Sequence, residues 1–192
     1  MVICEVVKME KANVNDVALF FIALAQDSGE QLTHMKLQKL VYYSQAWYLG
    51  MYGESLFNSS IEAWQHGPVC PELYHKFKSF GSNPIELPFS CPDVAGCISV
   101  VKPNLSDEVY SFLEQIADDY MDLSAFALRN MTHKERPWID AFAANQGEIT
   151  VESMVSYYSE LVISEEELTE ANEAYCAIQD GEGTEWKPGM FL

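Results

Sequence analysis

The sequence has 192 residues, of which 48% are hydrophobic and 12% aromatic, and this composition is too apolar for an intrinsically disordered chain. One folded domain is expected at this length. The 11 lysines and arginines against 29 aspartates and glutamates give a net charge of −18, which repels phosphate backbones and disfavours direct binding to nucleic acids. A field of this sign instead speeds the encounter with a basic partner.

The sequence carries no sign of a membrane segment or of secretion. No apolar run approaches the roughly 20 residues needed to cross a bilayer, and residues 1–8 lack a basic flank followed by a long apolar stretch. We therefore expect a cytoplasmic protein that does not enter a membrane, with its five scattered cysteines reduced. His66, Cys70, Cys91 and Cys97 lack the spacing of structural zinc sites, so we expect no metal and no other cofactor.

Hydrophobic periodicity predicts two helices near the start of the chain. Apolar residues recur at helical spacing over residues 14–26, and Asp27, Ser28 and Gly29 close this first helix. Thr33 is positioned to cap a second helix that stops at Gly53.

The second helix is rich in aromatic residues and apolar nearly all round, so we expect it to lie at the centre of the domain. Its spacing predicts that Tyr43 and Trp47 are buried without any ligand. Lys36 and Lys39 are expected where this helix turns towards water.

Helical periodicity is lost in the next segment. Residues 61–69 contain Gly67 and Pro68, which prevent a helix, and we predict an extended segment. The β-branched residues within 98–101 are positioned to pair with it. Between them, Pro71 opens a short helix that ends at Gly81.

The second half of the chain adds four further helices, which begin at Ser106, Ser124, Pro137 and Thr150. We therefore predict a mainly α fold: a compact helical domain around a central aromatic-rich helix, with a small two- or three-stranded β element. Residues 1–163 are expected to form this domain. Residues 164–192, an acidic helix followed by an irregular tail, are expected to pack on it.

Catalytic signals are weak, since the sequence has no phosphate-binding glycine loop and no nucleophile elbow. His66 and His133 could meet in a cleft with Glu62 or Glu135 as an acid–base pair. Single histidines more often cap helices or bind loops, so we do not expect an enzyme. Trp64 flanks the Gly-Pro break and fits either a partly exposed anchor for a partner or a core ring of the sheet.

Three blocks occur in order along the chain: residues 35–47, residues 56–74, and then Leu128, Thr132-His133 and Pro137-Trp138. In this order they resemble the Panacea antitoxin domain, a family also described as phage-associated and GepA-like, which includes the SocA-type antitoxins. The resemblance covers about residues 14–160. The family's motif residues are present at Lys36, Trp64, Gly67, Pro68, Tyr74, His133 and Trp138.

The resemblance implies a bacterial or phage protein that is encoded beside a toxin and neutralises it by direct protein–protein binding. Some members of the family act instead as adaptors that deliver a toxin to the ClpXP protease, which is the alternative function. A hydrolytic enzyme that uses His66 or His133 is a third. The toxin is expected to be basic, and the residues expected to bind it are Trp64, His66, Pro68, Tyr74, His133 and Trp138.

Overall fold

The computed structural model describes residues 11–86, 101–145 and 147–162 of the chain. This part contains seven α-helices and a two-stranded antiparallel sheet, which confirms the predicted mainly α fold. The helices are α1 (Val14–Ser28), α2 (His34–Tyr52), α3 (Pro71–Phe77), α4 (Asp107–Tyr120), α5 (Ala125–Thr132), α6 (Arg136–Ala143) and α7 (Val151–Ser159), and the strands are β1 (Glu62–Trp64) and β2 (Gly67–Val69).

The first two helices begin and end at the predicted signals. The Thr33 hydroxyl accepts the backbone N–H of Lys36 and so caps the start of α2. Gly29 and Gly53 follow α1 and α2 with φ angles of 75° and 68°, the left-handed conformation that glycine adopts at little cost.

The central position of α2 is also confirmed. Twelve of its residues are buried, and it contacts α1, α3, α4, α5, α7 and β2. Tyr43 is 1% exposed, as expected. Trp47 is only partly buried, and its indole N–H donates to the hydroxyl of Tyr120 at 2.6 Å. The expected burial is therefore complete for Tyr43 and partial for Trp47.

Helices α2 and α7 approach each other closely at Gly50. A Cβ atom at this position would lie 2.6 Å from Cβ of Tyr158 and 2.8 Å from the backbone carbonyl carbon of Tyr158. Only glycine fits this space, so α7 lies against α2 and places the Tyr158 ring in the core, where it is 1% exposed.

Residues 61–69 form a hairpin. Strands β1 and β2 pair with each other, with Trp64 opposite Gly67. A further segment, residues 147–149, lies along the other edge of β1, where the backbone N–H of Ala63 donates to the carbonyl oxygen of Gly147 at 3.1 Å. The extended segment therefore folds back on itself.

The expected pairing of residues 98–101 with this segment falls mainly outside the described residues, and within them another segment pairs with β1. Residues 98–100 lie outside the described residues, and Val101 has helical dihedral angles and is buried. The edge of β1 is occupied by residues 147–149, a pairing across more than 80 positions that local sequence patterns do not encode.

The remaining helices start where the sequence predicts. Ser106, Ser124 and Thr150 each accept a backbone N–H three residues ahead, and Pro137 lies in the first turn of α6. The predicted acidic helix and tail of residues 164–192 lie outside the described residues. In the described parts of the chain, no helix is both long enough and apolar enough to span a bilayer.

Candidate partner-binding site

A cleft of about 380 Å³, the hairpin cleft, opens between the start of α2, the β1–β2 hairpin and α3. None of the described residues that line it carries a carboxylate, although the net charge of the chain is −18. Its lining combines bases, aromatic rings, amides and apolar side chains: His34, Met35, Gln38, Lys39, Trp64, Gln65, His66, Val69 and Tyr74.

Trp64 forms one wall of the hairpin cleft from the outer face of β1. Strand alternation buries its neighbour Ala63 completely and leaves the Trp64 side chain half-buried. The ring packs edge-on against Tyr74 with the centroids 4.7 Å apart, and its indole N–H donates to the Glu62 carboxylate at 2.8 Å. This placement favours the partly exposed anchor over the core ring.

His66 lies in the turn of the hairpin and is exposed. The following residue, Gly67, has a φ angle of 94°, and a Cβ atom there would lie 2.8 Å from both Cε of Lys39 and Oγ1 of Thr132. Pro68 is buried directly after it. Gly67 and Pro68 therefore hold the turn tightly on α2 and α5, and His66 projects from it.

His133, at the end of α5, and Trp138, on α6, support the hairpin. Their rings stack with centroids 3.8 Å apart, and the Trp138 indole N–H donates to the backbone oxygen of Trp64 at 3.1 Å. Trp138 is buried and His133 is half-buried. Burial, followed by the positive charge of Arg129 and then of Lys39, lowers the pKa of His133. The six predicted residues thus gather around the hairpin, four accessible and two buried beneath them.

Lys39 lines the cleft and is 1% exposed, so the expectation that it turns towards water is wrong. Its ammonium group donates to the carbonyl oxygen of Pro68 at 2.6 Å and has no ion pair with a described carboxylate. Burial, and then the charge of Arg129, lowers the pKa of Lys39 to about 7. The available signal was its place in a helix that is apolar nearly all round, which cannot turn every polar residue to solvent.

Glu135 is the second buried charged residue that the sequence did not reveal. Its carboxylate accepts hydrogen bonds from the hydroxyls of Tyr42, Tyr43 and Tyr158, at 3.0, 2.7 and 2.9 Å. Burial raises the pKa of Glu135, and the three hydrogen bonds oppose this shift. The tyrosines therefore take the place of solvent around this carboxylate.

The carboxylates considered as acid–base partners of His66 and His133 are engaged elsewhere. An oxygen of Glu62 accepts from the Trp64 indole, and Glu135 accepts from the three tyrosines. The described part of this region consists of aromatic side chains, basic side chains and a turn held in place by α2 and α5. Such a surface suits recognition of another molecule.

Comparison with known proteins identifies a family match and a curated relative. The model of the family described as "Antitoxin SocA-like, Panacea domain" matches residues 37–139, which span α2, the hairpin, α3, α4, α5 and the first part of α6. A curated relative, the protein "Antitoxin SocA" of Caulobacter vibrioides, is 29% identical over 118 residues, which cover 60% of this chain.

The chain spans 62% of the length of that relative, somewhat less than two thirds. No solved structure matches the chain significantly. The family match alone extends over more than half of the chain and contains the hairpin and all the residues that line the cleft except His34 and Met35. The chain therefore belongs to the SocA-like antitoxin family and carries its Panacea domain.

Proposed function

We propose that this chain neutralises a toxin protein by binding it directly through the hairpin cleft. The observation that carries the proposal is the half-exposed pair of Trp64 and Tyr74 at the wall of the cleft. Tryptophan and tyrosine are enriched among the residues that dominate binding energy. Trp138 holds the backbone of Trp64 from below, so less conformational entropy is lost when a partner binds.

The residues around the cleft take different parts in this interface. Trp64, His66, Tyr74 and His133 would contact the toxin. The buried residues Pro68 and Trp138 would keep the hairpin in place beneath them.

A standard interface buries roughly 1,600 Å² in total, more than the cleft alone offers. Phe126 supports a larger contact surface. Its side chain is 68% exposed, and it lies on α5 about two helical turns before His133, the residue that follows this helix. The charge of −18 favours a basic toxin, which the field of the chain would attract over a screening length of about 8 to 10 Å.

The test is co-expression of the chain with the toxin encoded beside it, followed by purification and by titration of toxin activity with the purified chain. Direct masking predicts a stable complex and full neutralisation at a fixed stoichiometric ratio. Neutralisation by a small fraction of an equivalent would contradict masking and favour a histidine-dependent enzyme. Loss of the toxin that requires ClpXP, without a stable inhibited complex, would favour the adaptor function.

A further inference from the structure

The lining of the hairpin cleft contains basic side chains and no described carboxylate, although the chain as a whole is acidic. The ionisable side chains named in its lining are bases, His34, Lys39 and His66, apart from the phenol of Tyr74. Arg129 lies near enough to Lys39 for its charge to lower the pKa of that ammonium group. A strongly acidic protein therefore holds a local basic cavity.

The ammonium group of Lys39 lacks part of its hydrogen bonding and has no counter-charge among the described residues. An ammonium group has three donor positions, and the acceptor that the described structure supplies is the carbonyl oxygen of Pro68. A buried charge without a counter-charge is costly, and nothing in the described part of the chain pairs with Lys39. A carboxylate that enters the cleft would supply both a second acceptor and the missing negative charge.

The walls of the cleft specify what surrounds such a carboxylate. Met35, Val69, Trp64 and Tyr74 present mainly apolar surface, and the volume of about 380 Å³ lies at the lower end of the range for ligand pockets. A free inorganic anion would leave these walls in contact with water. A peptide segment with apolar side chains on both sides of an acidic one would cover them.

We propose that the hairpin cleft receives a segment of the toxin in which a glutamate or aspartate carboxylate is flanked by apolar side chains. The carboxylate pairs with Lys39, and the apolar side chains pack on Trp64 and Tyr74. This inference rests on the proposed antitoxin function and adds the chemistry of recognition. The acidic surface attracts a basic toxin at long range, and the basic cleft fixes the docking register at short range.

The test uses the full chain and two capped peptides that differ in charge alone, acetyl-Leu-Glu-Leu-Glu-Leu-amide and acetyl-Leu-Gln-Leu-Gln-Leu-amide. Binding is followed by NMR through the indole resonance of Trp64, which is assigned with the Trp64→Phe variant. The glutamate peptide is expected to shift this resonance and to bind about tenfold more tightly than the glutamine peptide, as a charge-assisted contact requires. Equal affinities, or no shift with either peptide, would overturn the proposal.

A matched pair of variants separates the local charge of the cleft from the net charge of the chain. Gln65 is exposed and lines the cleft, whereas Gln115 is exposed on α4 and does not. Gln65→Glu is expected to weaken the glutamate peptide about tenfold and to leave the glutamine peptide unchanged, while Gln115→Glu changes neither. Equal weakening by both variants would show general repulsion and would also overturn the proposal.

Copurification with the toxin is measured on the same samples, so that the two proposals fail in different ways. A stable toxin complex without a preference for the glutamate peptide rejects the acidic segment and leaves the antitoxin function standing. A clear preference for the glutamate peptide in a chain that forms no complex with the toxin rejects the antitoxin function and leaves the peptide specificity of the cleft.

Discussion

Two buried charged residues meet α2, and their hydrogen bonding differs: Lys39 belongs to this helix, and Glu135 contacts it through Tyr42 and Tyr43. Glu135 accepts three tyrosine hydroxyls, from Tyr42, Tyr43 and Tyr158. Lys39 has one carbonyl acceptor and lies at the floor of an open cleft. Since an unsatisfied buried charge is costly, the comparison separates a region built for stability from a region left open to a partner.

The surroundings of the two charges reinforce this difference. Beside Glu135, the ring of Tyr43 stacks on Tyr120 with centroids 4.3 Å apart, and Tyr120 in turn accepts the indole N–H of Trp47. This network joins α2 to α4, while Glu135 and Tyr158 connect it to α6 and α7. Around Lys39, the cover is a hairpin with strands of three residues each.

The largest expected effect is the loss of stability when the tyrosine-bound carboxylate of Glu135 is removed. Glu135→Ala leaves three buried hydroxyls without their acceptor and is expected to lower the free energy of unfolding by about 3 to 5 kcal/mol. Urea unfolding measures this loss. The control is Glu160→Ala at an exposed position, where a change within about 0.5 kcal/mol is expected. A comparable small change for Glu135→Ala would remove the distinction between the two regions.

The second prediction concerns how the contribution of Lys39 to the free energy of unfolding changes with pH. The pKa of Lys39 falls from 10.5 to about 7 on folding, so the unfolded chain binds more protons between these two values. Stability relative to Lys39→Met is therefore expected to be lowest below pH 7 and to rise with pH, by up to about 1.4 kcal/mol per pH unit. Unfolding free energies of both proteins from pH 6 to 10 measure the slope. A constant difference would show that Lys39 is not an unpaired buried cation.

Trp64→Ala tests the open region as an interface. We expect toxin binding to weaken by about 2 kcal/mol, and the melting temperature to change little, because the ring is half-buried on the outer face of β1. Affinity measurements and thermal unfolding of the same preparations provide both numbers. Tyr52→Ala, at the exposed end of α2, is the control that should leave binding intact. Parallel losses of stability and binding would return Trp64 to the core.

The smallest expected effect is that of salt. Raising the ionic strength from 0.1 to 1 M shortens the screening length from about 10 to about 3 Å. Attraction between the acidic chain and a basic toxin should weaken, and the association rate constant should fall several-fold while the dissociation rate changes less. Stopped-flow measurements separate the two rates. A salt-independent association rate would contradict steering by the net charge without affecting the binding site.

Local sequence patterns were sufficient for most of the secondary structure. Thr33, Ser106, Ser124 and Thr150 cap helices because a side-chain oxygen can reach an N–H within the same turn. The loss of helical periodicity and the Gly67-Pro68 pair correctly predicted an extended segment at residues 61–69. These features depend on neighbours within a few positions, which the sequence displays directly.

The sequence also predicted part of the site, because several of its residues are close together along the chain. Trp64, His66 and Tyr74 lie close together in the chain as well as in the cleft, and the family resemblance marked His133 and Trp138. Lys39 was missed because helical spacing gives its angular position but not the presence of the hairpin above it. The pairing of β1 with residues 147–149 was missed for the same reason.

The order of residues along the chain thus sets the helices, their ends, the break at Gly67 and the central place of the aromatic helix, because each depends on short-range sterics and hydrogen bonds or on the burial of apolar surface. Which charges are buried, and which are then satisfied, depends on contacts between distant segments. Glu135 meets Tyr42 across 93 positions, and Lys39 meets Pro68 across 29. Such contacts exist only after the helices have packed, since burial and the local dielectric are properties of the assembled fold.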